Sequence, residues 1–208
     1  MPPEQKPAGP LVGIVAGEPS GDLLGGALVQ ALRKRMPGVR FVGIGGQQMM
    51  AAGVQSLFPL EKLSVRGYVE VLRHYREIIG IRRELKKYFL RERPAAFIGI
   101  DAPDFNLDLE ADLKAAGIPA VHYVSPSIWA WRSGRIRKIR KAVSRMLTVF
   151  PFEAEIYEKA GVPVSYVGHP LADMLAAAPS RAEARAGLRI PVSARVGALV
   201  PGSRVSEL

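Results

Sequence analysis

The stretch Leu11-Val12-Gly13-Ile14-Val15-Ala16-Gly17-Glu18-Pro19-Ser20-Gly21-Asp22 decides how this chain folds. Its first half is a continuous apolar run rather than an alternating one, the pattern of a strand buried on both faces. Gly17–Asp22 is a loop of turn-forming residues, and Asp22–Arg35 carries helical patterning that ends before Pro37-Gly38. A strand that passes through a glycine loop into a helix is the opening of a strand–helix–strand unit, and the same rhythm continues outward from it.

Further apolar runs rich in Val and Ile lie at Val39–Ile44, Ala95–Ile100, Ile118–Val124, Met146–Phe150 and Val164–Val167. Helical segments separate most of them. Tyr68–Arg93 is one, with a kink expected at Gly80; Arg132–Val143 is another, whose apolar stripe of Ile136, Ile139 and Val143 places its basic residues on the outer face. The alternation predicts an α/β fold with an open, doubly wound, Rossmann-like parallel sheet. Residues 1–10 are proline-rich and expected to be a disordered lead-in, 11–178 the main domain, and 179–195 a linker of Ala, Pro, Arg and Ser with a short helix at Ser180–Ala186. Val196–Val200 then reads as a new strand, followed by the loop Pro201-Gly202-Ser203-Arg204, so 196–208 is expected to begin a second domain.

With 208 residues, 48% hydrophobic and 23% charged, the chain has ample apolar surface for a core. It has no cysteine, which excludes disulfides and cysteine-based metal sites, and no stretch reads as a secretory signal. The cytosol is the expected compartment. The apolar-rich segment Leu57–Leu72 is interrupted by Glu61, Lys62, Arg66 and Glu70, so membrane contact is expected to be peripheral. The net charge of +10 implies an anionic partner. Positive charge concentrates in Arg73–Arg93 and in Arg132–Arg145, and three readings stand: solvated helix faces, a nucleic-acid surface, or a surface for anionic lipid or phosphorylated substrate.

Ligands of such sheets bind beyond the carboxyl ends of the strands. Gly17–Asp22 departs from the GxGxxG dinucleotide spacing, and Glu18 would repel a pyrophosphate; its backbone amides suit a hydroxyl-rich ligand. The alternative is that Ser20 or Asp22 only caps the following helix. Gly43-Ile44-Gly45-Gly46 is either a tight turn or a backbone contact with ligand. Asp101, directly after a buried strand, is placed to take a proton from a bound hydroxyl, with burial raising its basicity. Asp104 and Asn106 read as turn and cap residues. Ser125-Pro126-Ser127-Ile128-Trp129-Ala130-Trp131 sets both tryptophans beside small polar groups, as a sugar or acyl surface or as a packing anchor. His169 reads more readily as a structural residue than as an acid or base.

The strings GEPSGD (from Gly17), GIDAPDFN (from Gly99), HYVSPSIWAW (from His122), GHPLAD (from Gly168) and PGSR (from Pro201) occur in this order, and together they resemble lipid-A-disaccharide synthase, a family of bacterial glycosyltransferases. The resemblance covers nearly all of Leu11–Leu208. It implies a two-lobed fold with this chain as the acceptor-binding lobe. It also implies inverting transfer of a diacylated glucosamine from a UDP-diacylglucosamine donor to a diacylglucosamine 1-phosphate acceptor, without a cofactor or divalent metal. By resemblance Asp101 is the general base, and Gly17, Glu18, Ser20, Gly21 and Asp22 face the substrate cleft, with Ser125, Trp129 and His169 as further substrate contacts. Gly202, Ser203 and Arg204 meet the donor's nucleotide. Val65, Tyr68, Val69 and Leu72 are candidates for membrane or acyl contact, with burial in the core as the alternative.

The family setting implies a cytoplasmic protein attached to the anionic inner face of the inner membrane, with a possible homodimer through a second lobe. Without that lobe this chain is expected to be inactive alone. Two other readings are a related glycosyltransferase acting on another acylated sugar and a non-catalytic module for anionic ligands. A nucleic-acid module would use the same basic faces, but no nucleic-acid motif is present, and no nucleic-acid partner is expected.

Overall fold

The computed structural model describes residues 9–63, 68–127 and 135–200, with backbone only for 68–74. It divides into two compact units, Met1–Gly168 and His169–Leu208. The first unit is an α/β sandwich. Seven parallel strands, β1 (Leu11–Ala16), β2 (Arg40–Ile44), β3 (Val54–Ser56), β4 (Ala96–Ile100), β5 (Ala120–Tyr123), β6 (Arg145–Thr148) and β7 (Val164–Tyr166), lie in the order β3-β2-β1-β4-β5-β6-β7. Helices connect them: α1 (Pro19–Arg35), α2 (Gln47–Ala51), α3 (Tyr68–Glu92), α4 (Pro103–Ala115), α5 (Arg135–Ala142) and α6 (Pro151–Lys159).

The six apolar runs of the sequence all become strands. β3 and α2 do not announce themselves, because three and five residues are too short to display a periodicity. α3 continues through Gly80 as unbroken helix. The core lies on the central strands, where Ile14, Val15, Ile44, Phe97 and Ile100 are at most 2% exposed. On one face Phe89 of α3 packs edge-on against Phe97 with ring centroids 5.3 Å apart. Each such ring contributes roughly 1.5–3 kcal/mol by leaving water.

The charged helix faces are not simply solvated. Asp104, Asp108 and Asp112 recur every fourth residue along α4 and form one acidic stripe. From α3, Arg82 reaches Asp108 at 2.6 Å and Lys86 reaches Asp112 at 2.9 Å; from α5, Arg135 reaches Asp104 and Lys138 reaches Asp108, both at 2.5 Å. The two basic clusters thus spend part of their charge on α4. Arg135 departs from the outward basic face expected of the Arg132–Val143 helix, with its side chain only 20% exposed, whereas Lys138 stays exposed and Ile139 and Val143 are fully buried as expected.

In the second unit, α7 (Leu171–Ala176) and α8 (Arg181–Gly187) are short. α8 starts at a capping box: the Glu183 amide donates to Ser180 Oγ at 3.3 Å and the Ser180 amide to Glu183 Oε2 at 2.8 Å. Val196–Val200 is not a strand. Among the described residues no strand pairs with it, and Leu199 is 93% exposed.

Candidate active site

β2 and β3 lie on one side of β1, and β4 to β7 lie on the other. The carboxyl ends of β1 and β4 therefore flank the point where the sheet's winding reverses, which is where ligands settle in this architecture. The β1 end carries Gly17–Asp22, and the β4 end carries Asp101. The structure brings these two segments into contact.

Asp101 Oδ1 accepts the Gly17 N–H at 2.8 Å, and the Asp101 N–H donates to Tyr123 O at 3.0 Å, so one residue ties the ends of β1, β4 and β5 together. Asp101 and Ala102 both adopt positive φ, 50° and 40°, a left-handed pair of non-glycine residues that costs on the order of 1 kcal/mol each. Asn106 holds the bend. It is fully buried, and its Nδ2 faces Asp101 O at 2.9 Å, Ile100 O at 3.2 Å and Val15 O at 3.4 Å. Asn106 is thus a staple between strand ends and not the cap residue its position suggested. Asp104 sits in the first turn of α4 and pairs with Arg135.

Two glycines make room for this carboxylate. A Cβ at Gly17 would lie 2.1 Å from Ala102 Cβ, and one at Gly21 would lie 2.1 Å from Asp101 Oδ2. That oxygen is enclosed and receives no hydrogen bond. Burial pushes the Asp101 carboxyl up to about 7; the Gly17 hydrogen bond opposes this, the charge of Glu18 reinforces it, and His122 opposes it. A carboxyl in that range is half ionised near neutrality, the condition for accepting a proton from an alcohol.

Glu18 is the residue before α1 and half-buried, and Ser20 is exposed in the first helical turn. Neither Ser20 nor Asp22 caps α1, which has no side-chain cap. Asp22 is 5% exposed and caps a different helix: Oδ1 accepts from the amides of Gly46 at 2.8 Å and Met49 at 3.0 Å, and Oδ2 from Gln48 at 2.9 Å. All three amides belong to the start of α2 and the glycine turn before it, so this part of the Gly43–Gly46 loop is held by the protein itself. A groove of about 390 Å³ opens beside that turn, with walls from Met50, Leu57, Phe58 and Leu60. Leu60 is buried, and Leu57, Phe58 and Leu63 pack against the core.

Ser125 follows Val124, whose φ is 76°, and its hydroxyl donates to Pro126 O at 3.0 Å and lies 2.9 Å from Tyr157 Oη. Burial pushes the Tyr157 phenol up to about 12 and holds the neighbouring Glu153 carboxyl above its usual range. His169 belongs to the second unit, where its Nδ1 accepts the Leu171 N–H at 3.1 Å and leaves the ring proton on Nε2. Val65, Trp129, Gly202, Ser203 and Arg204, and the side chains of Tyr68, Val69 and Leu72, lie outside the described residues. Among the described residues there is no group of three or more acidic or histidine side chains that could hold a metal ion, and no helix long and apolar enough to cross a membrane.

One feature escaped the sequence reading. His122 Nδ1 and Glu110 Oε1 are 2.7 Å apart with both side chains fully buried. The available signal was a polar residue inside the apolar run Ile118–Val124, which demands a partner, but its partner lies on a helix twelve residues earlier.

The family model described as lipid-A-disaccharide synthetase matches residues 12–208. The lipid-A-disaccharide synthase of Methylobacillus flagellatus is 62% identical over 199 residues, which is 96% of this chain and 53% of that protein; that of Azoarcus sp. is 59% identical over 96% of this chain and 51% of its own length. The chain thus spans about half the length of these relatives. Among solved structures, a UDP-GlcNAc 2-epimerase from Neisseria meningitidis aligns over 74% of this chain and 44% of its own, at 9% identity and a TM-score of 0.51. Phytolacca americana UGT2 aligns over 79% of this chain and 55% of its own, at 12% identity and a TM-score of 0.51. At that identity these two show a shared fold alone. The strand order, the strand-end carboxylate and the match across 12–208 agree, and the chain belongs to the lipid-A-disaccharide synthetase family.

Proposed function

We propose that this chain is the acceptor-binding lobe of a glycosyltransferase that joins UDP-2,3-diacylglucosamine to 2,3-diacylglucosamine 1-phosphate. The observation that carries the reading is Asp101, a carboxyl lifted to about 7 at the switch point of the sheet and fixed by the Gly17 amide. In this reading Asp101 takes the proton of the acceptor hydroxyl as its oxygen bonds to the donor's anomeric carbon, and the bond to UDP breaks on the opposite face. The configuration inverts. The polar side chains of Glu18 and Ser20 orient the acceptor sugar, and Gly17 and Gly21 let the sugar approach the backbone beside Asp101. Asp22 supports them by fixing the neighbouring turn.

The remaining roles rest on family membership. Gly202, Ser203 and Arg204 are proposed to meet the nucleotide, with the arginine neutralising the departing diphosphate. Ser125, Trp129 and His169 are proposed as further substrate contacts. The groove beside Gly45–Gly46 is proposed to accept an acyl chain, with Val65, Tyr68, Val69 and Leu72 meeting acyl chains or the membrane surface. The protein is proposed to act in the cytoplasm on the anionic inner face of the inner membrane, and its full-length form to pair through the second lobe.

The test is a polypeptide carrying this sequence at the full length of its relatives, supplied with both lipid substrates. Disaccharide 1-phosphate and UDP are expected in equal amounts. Release of UDP without disaccharide, or product only with a different acylated sugar, would overturn the reading. A second reading fits the 208-residue chain by itself. Because it spans about half of its relatives, it is expected to bind acceptor without turnover, and product formation by this chain alone would contradict that.

A further inference from the structure

Left-handed backbone recurs at the carboxyl ends of two adjacent strands: Asp101 and Ala102 adopt it after β4, and Val124 adopts it after β5. Val124, at φ 76°, is the sharpest departure of the three, because a β-branched side chain rarely tolerates that region. Such a conformation persists only where its surroundings force it.

The chain is pinned on both sides of Val124. Upstream, the peptide plane between Tyr123 and Val124 is held twice: Tyr123 O accepts the Asp101 N–H at 3.0 Å, and the Val124 N–H donates to Leu147 O at 3.1 Å. Downstream, Ser125 is 9% exposed, and its Oγ lies 2.9 Å from Oη of Tyr157, a fully buried residue of α6. The Ser125 proton has acceptors in Pro126 O, at 3.0 Å, and in the Glu153 carboxyl, so its oxygen is left to accept from Tyr157. Burial pushes the Tyr157 phenol up to about 12, so it keeps the proton it donates. Pro126 stiffens the turn further by fixing its own φ and restricting Ser125. The first pin thus joins the turn to the residue that carries the base. The second sets the direction in which the chain leaves β5 toward the exposed Ser127.

We propose that Tyr157 is a positioning residue: through Ser125 it holds Val124 in the left-handed turn, and that turn presents the segment from Ser125 onward to the acceptor beside Asp101. This deepens the reading of the chain as an acceptor-binding lobe. It rests on that reading for its consequence in catalysis, though not for the holding of the turn. Tyr157 lies in none of the sequence strings that carry the family resemblance, and, being fully buried, it acts through Ser125 rather than on substrate. Without its hydroxyl, Val124 relaxes to negative φ, and only the fraction of molecules that still form the turn binds acceptor. Acceptor affinity falls by that fraction, while bound acceptor selects the turn and turnover at saturation is kept.

The test reads the turn and the kinetics separately. In the 208-residue chain, NMR couplings and carbon shifts of Val124 report its φ, and Tyr157→Phe is expected to move them from left-handed to extended values. In the full-length enzyme the same variant should raise the acceptor KM about 10-fold and leave kcat within about 3-fold. Adding Val124→Gly should return KM to within about 3-fold of the parent, because glycine takes positive φ without being held. A merely structural loss would lower kcat or the amount of folded enzyme, and a second substitution that removes packing would deepen it rather than reverse it. Ser125→Ala cuts the same link from the other side and should give the same change in φ; it decides the matter if Tyr157→Phe does not fold. An unmoved Val124 φ in the folded variants overturns the proposal, and so does a moved φ with unchanged acceptor KM, or a raised KM that glycine does not restore. If the parent enzyme makes no disaccharide, the acceptor-lobe reading fails, and the φ of Val124 then decides by itself whether Tyr157 holds the turn.

Discussion

Gly21 and Asp101 approach so closely that a Cβ on the glycine would stand 2.1 Å from Oδ2 of the carboxylate. Eighty residues separate them in sequence, yet each limits what the other can be. Gly21→Ala must displace either the carboxylate or the first turn of α1. It is expected to cost about 1–3 kcal/mol of stability. In the full-length enzyme it should lower turnover by about 100-fold, since a displacement near 1 Å at a reacting group has that effect. Urea denaturation beside steady-state kinetics checks both; an alanine variant with wild-type turnover would show that Asp101 is free to move without consequence.

Asp101→Asn should remove most turnover, by about 10²–10⁴, while acceptor binding is largely kept. The same substitution should stabilise the fold at alkaline pH. The folded carboxyl titrates near 7 against 3.8 in the unfolded chain, so the folded state holds the proton more tightly. Stability from this group is therefore fully present below the unfolded value and is lost as pH rises to about 7. The asparagine variant lacks that loss and should exceed the parent above neutrality by up to about 4 kcal/mol. Denaturation midpoints of the two proteins at about pH 5 and pH 8 test this, and a gap that does not widen with pH contradicts it.

Asp22→Ala leaves the amides of Gly46, Gln48 and Met49 without their acceptor. The expected cost is about 2–4 kcal/mol, since hydrogen bonds to a charged group contribute roughly 1.5–3 kcal/mol and buried donors are left unmade. Hydrogen exchange at residues 46–49 should accelerate. Wild-type stability combined with weakened acceptor binding would instead assign Asp22 to the ligand.

The α4 acids restrain the basic faces of α3 and α5. Asp108 alone pairs with Arg82 and Lys138. Asp108→Asn should change stability by under about 1 kcal/mol, because the pairs are partly exposed. It should strengthen binding to vesicles of anionic lipid at low salt, with an effect that fades as ionic strength rises. Sedimentation with neutral and anionic vesicles measures this; equal binding to both lipids would deny the basic faces any part in membrane contact.

The sequence alone determined the strand ladder, because a strand covered by helices on both faces must be apolar along its whole length, and six such runs stand out. It also located Asp101, because an acid at the end of a buried strand is a local and legible anomaly. Tertiary structure alone decided what the other polar residues do. Asp22 looks like a cap for its own helix but caps α2, and Asn106 looks like a cap but staples three carbonyls. Glu110 and His122 look like a helix polar residue and an interrupted strand until register and packing bring them to 2.7 Å. Backbone periodicity is written in neighbouring residues and survives in one dimension. Hydrogen-bond partners across a sheet are chosen by the crossing of elements, and no spacing in the chain records that choice.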